Sequence, residues 1–313
     1  MIMQRGVALI TALLVTAVAT IVAVSMLSRQ HLDIRRSTNI FNADQAWLFT
    51  RGLEDWAVQL MRQDRNDNQI DHMGEDWATV LPPIVVEGGL VAGNIIDLMG
   101  RFNLNNLLND DGEASQEDIE ILKRLFDILD IDNRHVQAIV DWLDKDQEMT
   151  FPDGAEDNVY FNREVAYRSA DTLMVSPSEL LLVNGMSYED YLALQPYLSA
   201  LPARTPININ TAAAPLIQAV VPGVELGDAE QLVREREDNP FNTIEDFRNH
   251  ALIKVHMNNN NNGNNQSKDI SVNSEYFLLS ASAQFGRAEV HMASIIARTD
   301  NDVRVIQHGQ GVY

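Results

Sequence analysis

The longest hydrophobic run of this chain lies near its beginning and extends from Val7 to Leu27. It follows a polar leader, Met1–Gly6, and contains no charged residue. A helix of this length spans about 30 Å, the thickness of the hydrocarbon core of a bilayer. Apolar residues at helical spacing continue beyond the run, and no proline precedes Pro82. These residues are Phe49, Leu53, Trp56 and Leu60. The pattern predicts one helix from Val7 to about Arg62, its first half in lipid and its second half packed on a soluble domain.

Two features leave the fate of this segment open at this point. Ala17-Val18-Ala19 and Ala23-Val24-Ser25 resemble the cleavage site of a secretory signal peptide, whose apolar core is usually only about 7–15 residues long. Arginines flank the run on both sides, and the larger number after it would place the following chain in the cytoplasm by the positive-inside rule alone. The helical pattern beyond the run favours a retained anchor, because a cleaved peptide has no reason to continue into such a helix.

Apolar stretches that flank glycine turns predict two β-hairpins far apart in the chain, followed by a short strand. The turns are Gly88-Gly89 and Gly286-Arg287. The strands are predicted at Ile84–Glu87, Leu90–Met99, Tyr276–Phe285, Ala288–Arg298 and Val303–Ile306. Because an isolated hairpin is only marginally stable, we expect the two hairpins to pair and to cover the long helix. The fold class is therefore α+β, with a long N-terminal helix on a small antiparallel sheet and a large inserted helical domain.

Helical patterns fill the region between the hairpins. Stripes of apolar residues predict one helix that begins near Ser115 and another that ends at Leu143, and three shorter helices are predicted at Ser178–Asn184, Tyr188–Leu194 and Ala212–Val220. An apolar-Asn-apolar-Asn pattern occurs twice, at Phe102–Asn105 and Ile207–Asn210, and precedes helices both times. Asparagine in such places bonds to nearby backbone and caps the next helix, so we expect two related helical subdomains. The polar stretch Met257–Gln266 is predicted to be a mobile loop.

The charge of the chain limits its partners. Its 45 acidic and 23 basic residues give a net charge of −22, which disfavours nucleic acid and anionic lipid as ligands of the soluble part. The same charge is compatible with bound divalent cations. The chain has no cysteine, which excludes thiol catalysis and thiolate zinc sites and leaves an exported chain without disulfides.

The densest acidic segment follows Leu143. Its carboxylates are Asp144, Asp146, Glu148, Asp153, Glu156 and Asp157, and Pro152 and Gly154 bend the chain between them. Calcium takes six to eight oxygen ligands in irregular geometry, so such a loop can wrap around one ion. A solvated acidic loop explains the spacing equally well. A second stretch places Asp64, Asn66, Asn68 and Glu75 at EF-hand positions, but Gln69 stands where that loop requires glycine.

Residues 207–250 resemble a helix-hairpin-helix, a module that often binds DNA. In DNA-binding examples a glycine and a lysine approach a phosphate, whereas this chain has Glu225 and Asp228 at those positions. Carboxylates repel phosphate, so the module is interpreted as a scaffold for protein contacts. The sequence has no nucleophile elbow, Walker loop or dinucleotide fingerprint, and its histidines lack helical ligand spacing. We therefore expect no catalytic residues.

The leader that ends in glycine, the apolar helix that follows it and its half-buried continuation resemble the type IV pilin and pseudopilin class. Within that class the chain resembles the protein K minor pseudopilins of type II secretion, over nearly its whole length. The segments that carry the likeness are Gly88-Gly89, Gly100–Leu107, Asp141–Asp144, Gly154–Asp157 and Ile207–Ala212. Most pilins have glutamate at the fifth mature position, whereas this chain has Thr11.

The resemblance implies several properties of this chain. A prepilin peptidase would cut between Gly6 and Val7, and the new N-terminus would be methylated. Thr11 would mark a subunit that ends a filament, because it cannot pair with the amine of a neighbouring subunit. Protein K members bind calcium in their helical domain, which favours calcium here, with Asp144, Asp146, Glu156 and Asp157 as ligands and Glu148 as a less certain one.

The expected place of such a protein is the bacterial inner membrane, with a single span and most of the chain in the periplasm. The implied partners are the I- and J-type minor pseudopilins, through them the major pseudopilin, and the peptidase. The expected role is non-enzymatic: capping the tip of the pseudopilus and supporting export across the outer membrane. A minor pilin of another fimbrial system and a calcium-dependent periplasmic hydrolase are the alternatives.

This interpretation divides the chain into five parts. They are a leader (1–6), a transmembrane helix (7–27), the first part of a pilin-like domain (28–102), an inserted helical domain (103–270) and the C-terminal strands of the pilin-like domain (271–313).

Overall fold

The computed structural model describes residues 4–67, 69–80, 82–259, 270–299 and 302–311. Its first element is one helix, α1, over Gln4–Asp67, which confirms the long helix predicted from the apolar pattern. This helix is long and apolar enough to cross a membrane. Side chains at positions 7–41 are exposed. The first half of α1 therefore extends away from the packed part of the molecule.

A five-stranded antiparallel sheet covers the second half of α1. In chain order the strands of the molecule are β1 (Ile84–Val86), β2 (Gly89–Asp97), β3 (Phe102–Asn103), β4 (Leu198–Ser199), β5 (Ile207–Asn208), β6 (Ile270–Ser271), β7 (Tyr276–Phe285), β8 (Ala288–Arg298) and β9 (Val303–Gln310). The order of strands in the large sheet is β1-β2-β7-β8-β9. The two predicted hairpins pair through β2 and β7, whose register runs from Gly89 opposite Phe285 to Asp97 opposite Phe277. We call α1 from residue 28 together with this sheet the pilin-like body.

The face of α1 that packs on the sheet differs from the predicted stripe. The buried residues of α1 are Ala46, Thr50, Glu54, Ala57 and Met61. Phe49 and Trp56 are exposed at the margin of this face. Small side chains let the helix approach the strands closely, and Glu54 is satisfied there by the Ser294 hydroxyl at 2.5 Å. The larger apolar residues therefore pack along the edge of the contact, where Phe49 stacks at a tilt on Phe285.

The chain between β2 and β7 forms the helical insertion. Its helices are α2 (Gln116–Ile128), α3 (His135–Leu143), α4 (Asp157–Tyr160), α5 (Tyr188–Leu194), α6 (Ala214–Val220), α7 (Leu226–Asp238), α8 (Ile244–Asn249) and α9 (Ala251–Asn259). The predicted stripe of α2 is buried at Ile119, Leu122, Leu125 and Phe126. Full burial of each such side chain contributes about 1.5–3 kcal/mol. The insertion thus has a core of its own, next to the smaller core under the sheet.

The two Asn-containing tetrapeptides are built alike. In each, the first Asn accepts a hydrogen bond from the backbone N–H two residues later, at 3.1 Å for Asn103 and 2.9 Å for Asn208. The second Asn exchanges two hydrogen bonds with the backbone of one distant residue, Met174 in the first motif and Phe241 in the second. Each motif also begins a short parallel pair, β3 with β4 and β5 with β6. This repetition agrees with the prediction of two related subdomains.

Two local predictions differ from the structure. The segment Pro177–Leu182 is a 3-10 helix, which begins at a capping box on Ser176. The predicted loop at Met257–Gln266 begins inside α9, because the apolar residues before it carry the helix on to Asn259. The rest of that loop lies outside the described residues.

Candidate metal centre

Three of the predicted acidic residues come together beside the end of α3. Asp144 is the C-cap of that helix, Asp146 follows in the loop, and Glu156 is the N-cap of α4. One carboxylate oxygen from each lies within 4.8 Å of the others. A carboxylate at a helix C-terminus faces the negative end of the helix dipole, which is unfavourable without a compensating cation. The loop therefore concentrates negative charge at a helix end whose dipole also disfavours negative charge.

The loop folds back on α3 through a contact that only glycine permits. Asp141, buried in the last turn of α3, accepts a hydrogen bond from the backbone N–H of Thr150 at 3.1 Å. A Cβ atom at Gly154 would collide with the Asp141 carboxylate and would lie 2.6 Å from the Thr150 nitrogen. Gly154 thus allows the loop to close over Asp141 and brings Glu156 next to Asp144.

The structure adds Asp171, which the sequence did not indicate as a ligand. Its charge acts on both Asp144 and Glu156 and disfavours their ionised forms. One of its carboxylate oxygens accepts a hydrogen bond from the Gln147 side chain at 3.0 Å. Its backbone has φ of +49°, in the left-handed region that few residues other than glycine adopt. Asp171 lies 14 residues after Asp157, the last acid of the loop, and no ligand spacing known from the sequence relates the two.

Buried oxygen atoms without partners distinguish this cluster. Asp144 Oδ1, Glu156 Oε1 and Asp171 Oδ1 are buried and accept no hydrogen bond. In the described part of the chain, they are the carboxylate oxygens with this property. No described Lys, Arg or His lies within 4.0 Å of the carboxylates of Asp144, Asp146 or Glu156. A buried anion without a partner is costly, and each such group requires an explanation.

The electrostatics of the cluster favour uptake of positive charge. Burial, followed by the charge of Asp146, raises the pKa of Asp144 to about 7. Burial, followed by the charge of Asp141, raises the pKa of Glu156 to about 7. Burial also raises the pKa of Asp141. Without a cation these carboxylates bind protons near neutral pH, and a divalent ion would displace them.

Two predicted ligands lie outside the cluster. Glu148 is exposed, and its contribution is the backbone N–H that it donates to Asp146 at 2.7 Å. Asp157 accepts hydrogen bonds from the backbone N–H and the hydroxyl of Ser169, both at 3.1 Å. One carboxylate oxygen of Asp157 therefore holds the segment that leads to Asp171.

The predicted processing site lies at the start of α1. The Gly6–Val7 peptide bond is within the first turns of this helix. Thr11 is exposed, and its hydroxyl donates a hydrogen bond to the carbonyl oxygen of Ala8 at 3.0 Å. The polar atom of Thr11 is thus satisfied inside its own helix and carries no charge.

The helix-hairpin-helix-like part contains α6, α7 and α8. Glu225 is the N-cap of α7 and Asp228 lies in its first turn. A helix N-terminus attracts anions, and these two carboxylates already occupy that end. The buried Arg236 is directed inwards and donates hydrogen bonds to the carbonyl oxygens of Ile209 and Ala212. The geometry is that of an internally braced scaffold.

Family models of type II secretion system protein K match residues 100–203 and 207–272. These ranges coincide with the two subdomains that begin at the Asn motifs. The type II secretion system protein K of Pseudomonas aeruginosa is 34% identical and aligns with 98% of this chain and 93% of its own length. The protein K of Aeromonas hydrophila is 32% identical over 74% of this chain and 76% of its own length.

A crystal structure of a GspK-GspI-GspJ complex from the type 2 secretion system of enterotoxigenic Escherichia coli contains a chain of similar fold. The TM-score is 0.77 at 23% identity, covering 89% of this chain and 99% of that one. This likeness confirms the predicted α+β fold with its helical insertion. From the two family matches and the full-length relatives, we conclude that the chain belongs to the protein K family of the type II secretion system.

Proposed function

We propose that this minor pseudopilin ends the periplasmic pseudopilus at its tip. In this role it is anchored by α1 in the inner membrane before assembly, with the remainder of the chain in the periplasm. It joins I- and J-type minor pseudopilins and through them the major pseudopilin. A chain of the same fold forms a complex with GspI and GspJ, which supports this choice of partners.

Thr11 is the observation that carries the tip position. Pilin-like subunits stack through a fifth-position carboxylate, which would pair with the amine at the N-terminus of the adjacent subunit. A charge left unpaired in the apolar core of a filament is expensive, so a missing partner disfavours further stacking. The hydroxyl of Thr11 is already bonded to Ala8. It therefore offers no acceptor charge to a subunit above it.

The helical insertion supports the same position. It meets the pilin-like body beyond the end of α1, where the backbone N–H of Asp71 donates to the carbonyl oxygen of Val272 at 2.9 Å. This is the end of the body remote from the apolar half of α1. A domain of this size at that end would obstruct a subunit that follows in the stack.

Assembly of this chain into the pseudopilus first requires removal of its leader. In this proposal prepilin peptidase cuts between Gly6 and Val7, and the new amine is methylated. Mass spectrometry of the native N-terminus tests this step. A chain that begins at methylated Val7 agrees with it, whereas a chain that begins near Ser25 lacks the anchor and overturns the tip role.

The candidate metal centre is proposed to hold calcium. The buried oxygens without partners on Asp144, Glu156 and Asp171 fit a hard cation, which prefers carboxylate oxygens. Asp146, within 4.8 Å of the first two, is the fourth ligand. Calcium would supply the positive charge that the cluster lacks and would hold the loop after α3 to the segment around Asp171. Its role is structural, and no reaction is assigned to this chain.

Labelling of filaments tests the tip position. The full-length chain with a C-terminal epitope is expressed at native level with its secretion system, and sheared pseudopili are stained with gold-conjugated antibody. We expect gold at filament ends, and a tagged major pseudopilin as the control labels the whole length. Gold distributed along filaments for the tagged chain would contradict the proposal.

A further inference from the structure

A buried polar network lies where the helical insertion is attached to the pilin-like body. The chain leaves the sheet at Asp97, the last residue of β2, and returns to it just after Ser274. The network, which we call the joint, has members on several elements. They are Asp64 of α1, Asp71 of the following loop, Asp97 of β2, Asn208 of β5, Thr211 before α6, Ser274 before β7 and Arg298 of β8.

Asp97 is the centre of the joint on the side of the insertion. Its side chain is 5% exposed and accepts four hydrogen bonds. The donors are Met99 N (2.7 Å), Ser274 Oγ (2.6 Å), Thr211 Oγ1 (2.6 Å) and Asn208 Nδ2 (3.0 Å). Met99 and Ser274 lie where the chain enters and leaves the insertion, and Asn208 and Thr211 belong to its second subdomain. One carboxylate of the body therefore bonds to both connections and to the insertion itself.

Arg298 is the centre of the joint on the side of the body. Its Nη2 atom donates to both carboxylate oxygens of Asp71, and its Nη1 atom contacts Asp64 at 2.5 Å. It also donates to the carbonyl oxygen of Ser274 at 2.8 Å. Asp71 in turn accepts from Ser274 N at 2.7 Å, and its carbonyl oxygen accepts from Asn208 at 3.0 Å. The two centres are therefore linked through shared partners.

Close backbone packing accompanies these bonds. Gly100, three residues after Asp97, lies against Thr211. A Cβ atom there would be 2.5 Å from the Thr211 hydroxyl oxygen and 3.1 Å from its carbonyl carbon. Since backbone atoms cannot yield as a flexible side chain can, any larger residue would push the second subdomain away from Asp97.

The joint lies beside a cleft between the body and the insertion. Asp71 and Arg298 line this polar cleft together with Asn242 of the insertion.

We infer that the joint sets the orientation of the helical insertion on the pilin-like body. Its bonds join α1, the loop after α1, β2 and β8 to the residues on both edges of the insertion, and Gly100 allows the second subdomain to lie against Asp97. The inference concerns the fold of one chain, so it does not depend on the proposed position at the tip.

A distance measurement tests the inference. The chain has no cysteine, so two introduced cysteines can be spin-labelled without background. Gln59→Cys lies on the exposed face of α1 and Gln116→Cys on the exposed start of α2. Double electron–electron resonance on the full-length chain in detergent, with saturating calcium, gives their distance distribution. We expect a single narrow distribution for the labelled parent.

Three variants in the labelled chain test the contacts of the joint. Gly100→Ala should shift or broaden the distribution. Gly227→Ala is the matched control, since a Cβ there contacts nothing within 4 Å, and it should match the parent. Asp97→Asn keeps the size of the side chain but replaces an acceptor oxygen with an NH2 group that faces a donor, so it should also broaden the distribution.

Parent-like distributions in both Gly100→Ala and Asp97→Asn would overturn the role of the joint in orientation. Circular dichroism reports folding of each variant. If Gly100→Ala does not fold, Asp97→Asn alone decides the question.

Discussion

Two groups of acidic side chains in this protein are similar in size but differ in how their charge is balanced. Asp64, Asp71 and Glu75 near the end of α1 offer oxygens within 4.8 Å of one another, as do Asp144, Asp146 and Glu156 after α3. The first group receives Arg298, which bonds to two of its carboxylates. The second leaves carboxylate oxygens buried without any partner.

This difference teaches how to distinguish a structural ion-pair network from a cation site. Both groups bury carboxylates, and burial raises pKa values in both. The density of acids along the chain is therefore a poor criterion. The decisive observation is whether a basic side chain of the same protein lies between the oxygens. Such a side chain fills the space of a metal ion and neutralises the negative charge that would attract it.

Removal of Arg298 should have the largest effect. In Arg298→Met, Asp71 remains buried without the guanidinium that pairs with it, and breaking a buried pair in this way costs about 3–5 kcal/mol. Urea unfolding of the full-length chain in detergent and calcium measures the loss. Arg304→Met, on the exposed side of β9, is the control and should lose less than about 0.5 kcal/mol. An equal effect of both variants would refute the special role of Arg298.

Removal of calcium should have the next largest effect. A ligand at 100 times its Kd stabilises the folded state by about 2.7 kcal/mol. In a domain of the size of the helical insertion about 1 kcal/mol shifts Tm by roughly 2–4 °C, so chelation should lower the Tm of the insertion by roughly 5–10 °C. Calorimetry with and without chelator measures the shift. The prediction is contradicted if Tm stays the same, and magnesium at the same concentration should restore less of the loss than calcium.

Substitution of a single proposed ligand should weaken calcium binding, whereas substitution of an exposed acid of the same loop should not. Glu156→Gln and Asp171→Asn each remove a charge beside a buried oxygen without a partner, and each should weaken calcium binding at least about tenfold, or about 1.4 kcal/mol. Glu148→Gln is the matched control, because this side chain is exposed and the residue contacts Asp146 through its backbone N–H. Titration calorimetry measures the affinities. A loss in Glu148→Gln as large as in Glu156→Gln would place the ion elsewhere.

The smallest predicted effect is a dependence on pH in the absence of calcium. Because the folded-state pKa values of Asp144 and Glu156 are raised to about 7, the folded chain binds more protons than the unfolded chain between their ordinary values and about 7. Stability therefore falls as pH rises through this range. Chelated protein should melt at least about 2 °C higher near pH 6 than near pH 8.

Glu156→Gln isolates the contribution of the metal centre to this effect. Asp71 and Asp97 titrate with the same sign, so part of the pH difference should persist in this variant. A chelated parent that is more stable near pH 8 than near pH 6 would reverse the sign and refute the electrostatic account of the cluster.

The sequence predicted most of the fold because its signals are local and periodic. Both hairpins, the long helix and the Asn motifs depend on spacing within short segments. The face of α1 was predicted wrongly at Phe49 and Trp56, since the helix approaches the sheet through small residues and the most apolar residues pack at the margin. Hydrophobic spacing alone does not reveal such a close approach.

The candidate site was predictable only in part, for a related reason. Asp144, Asp146 and Glu156 come from one loop, and a turn at Gly154 brings them together. Asp171 is brought to the cluster by tertiary folding, and one oxygen of Asp157 accepts hydrogen bonds from Ser169, which spacing in the sequence does not reveal. Likewise, the pairing of Asp71 with Arg298 joins residues that are remote in the chain. The five domain boundaries stay predictions.

Anomalous diffraction from crystals of this protein grown with calcium tests the central contrast most directly. The account predicts a calcium peak among Asp144, Asp146, Glu156 and Asp171, and none among Asp64, Asp71 and Glu75. A peak beside Arg298, or saturating calcium with no density after α3, would contradict it.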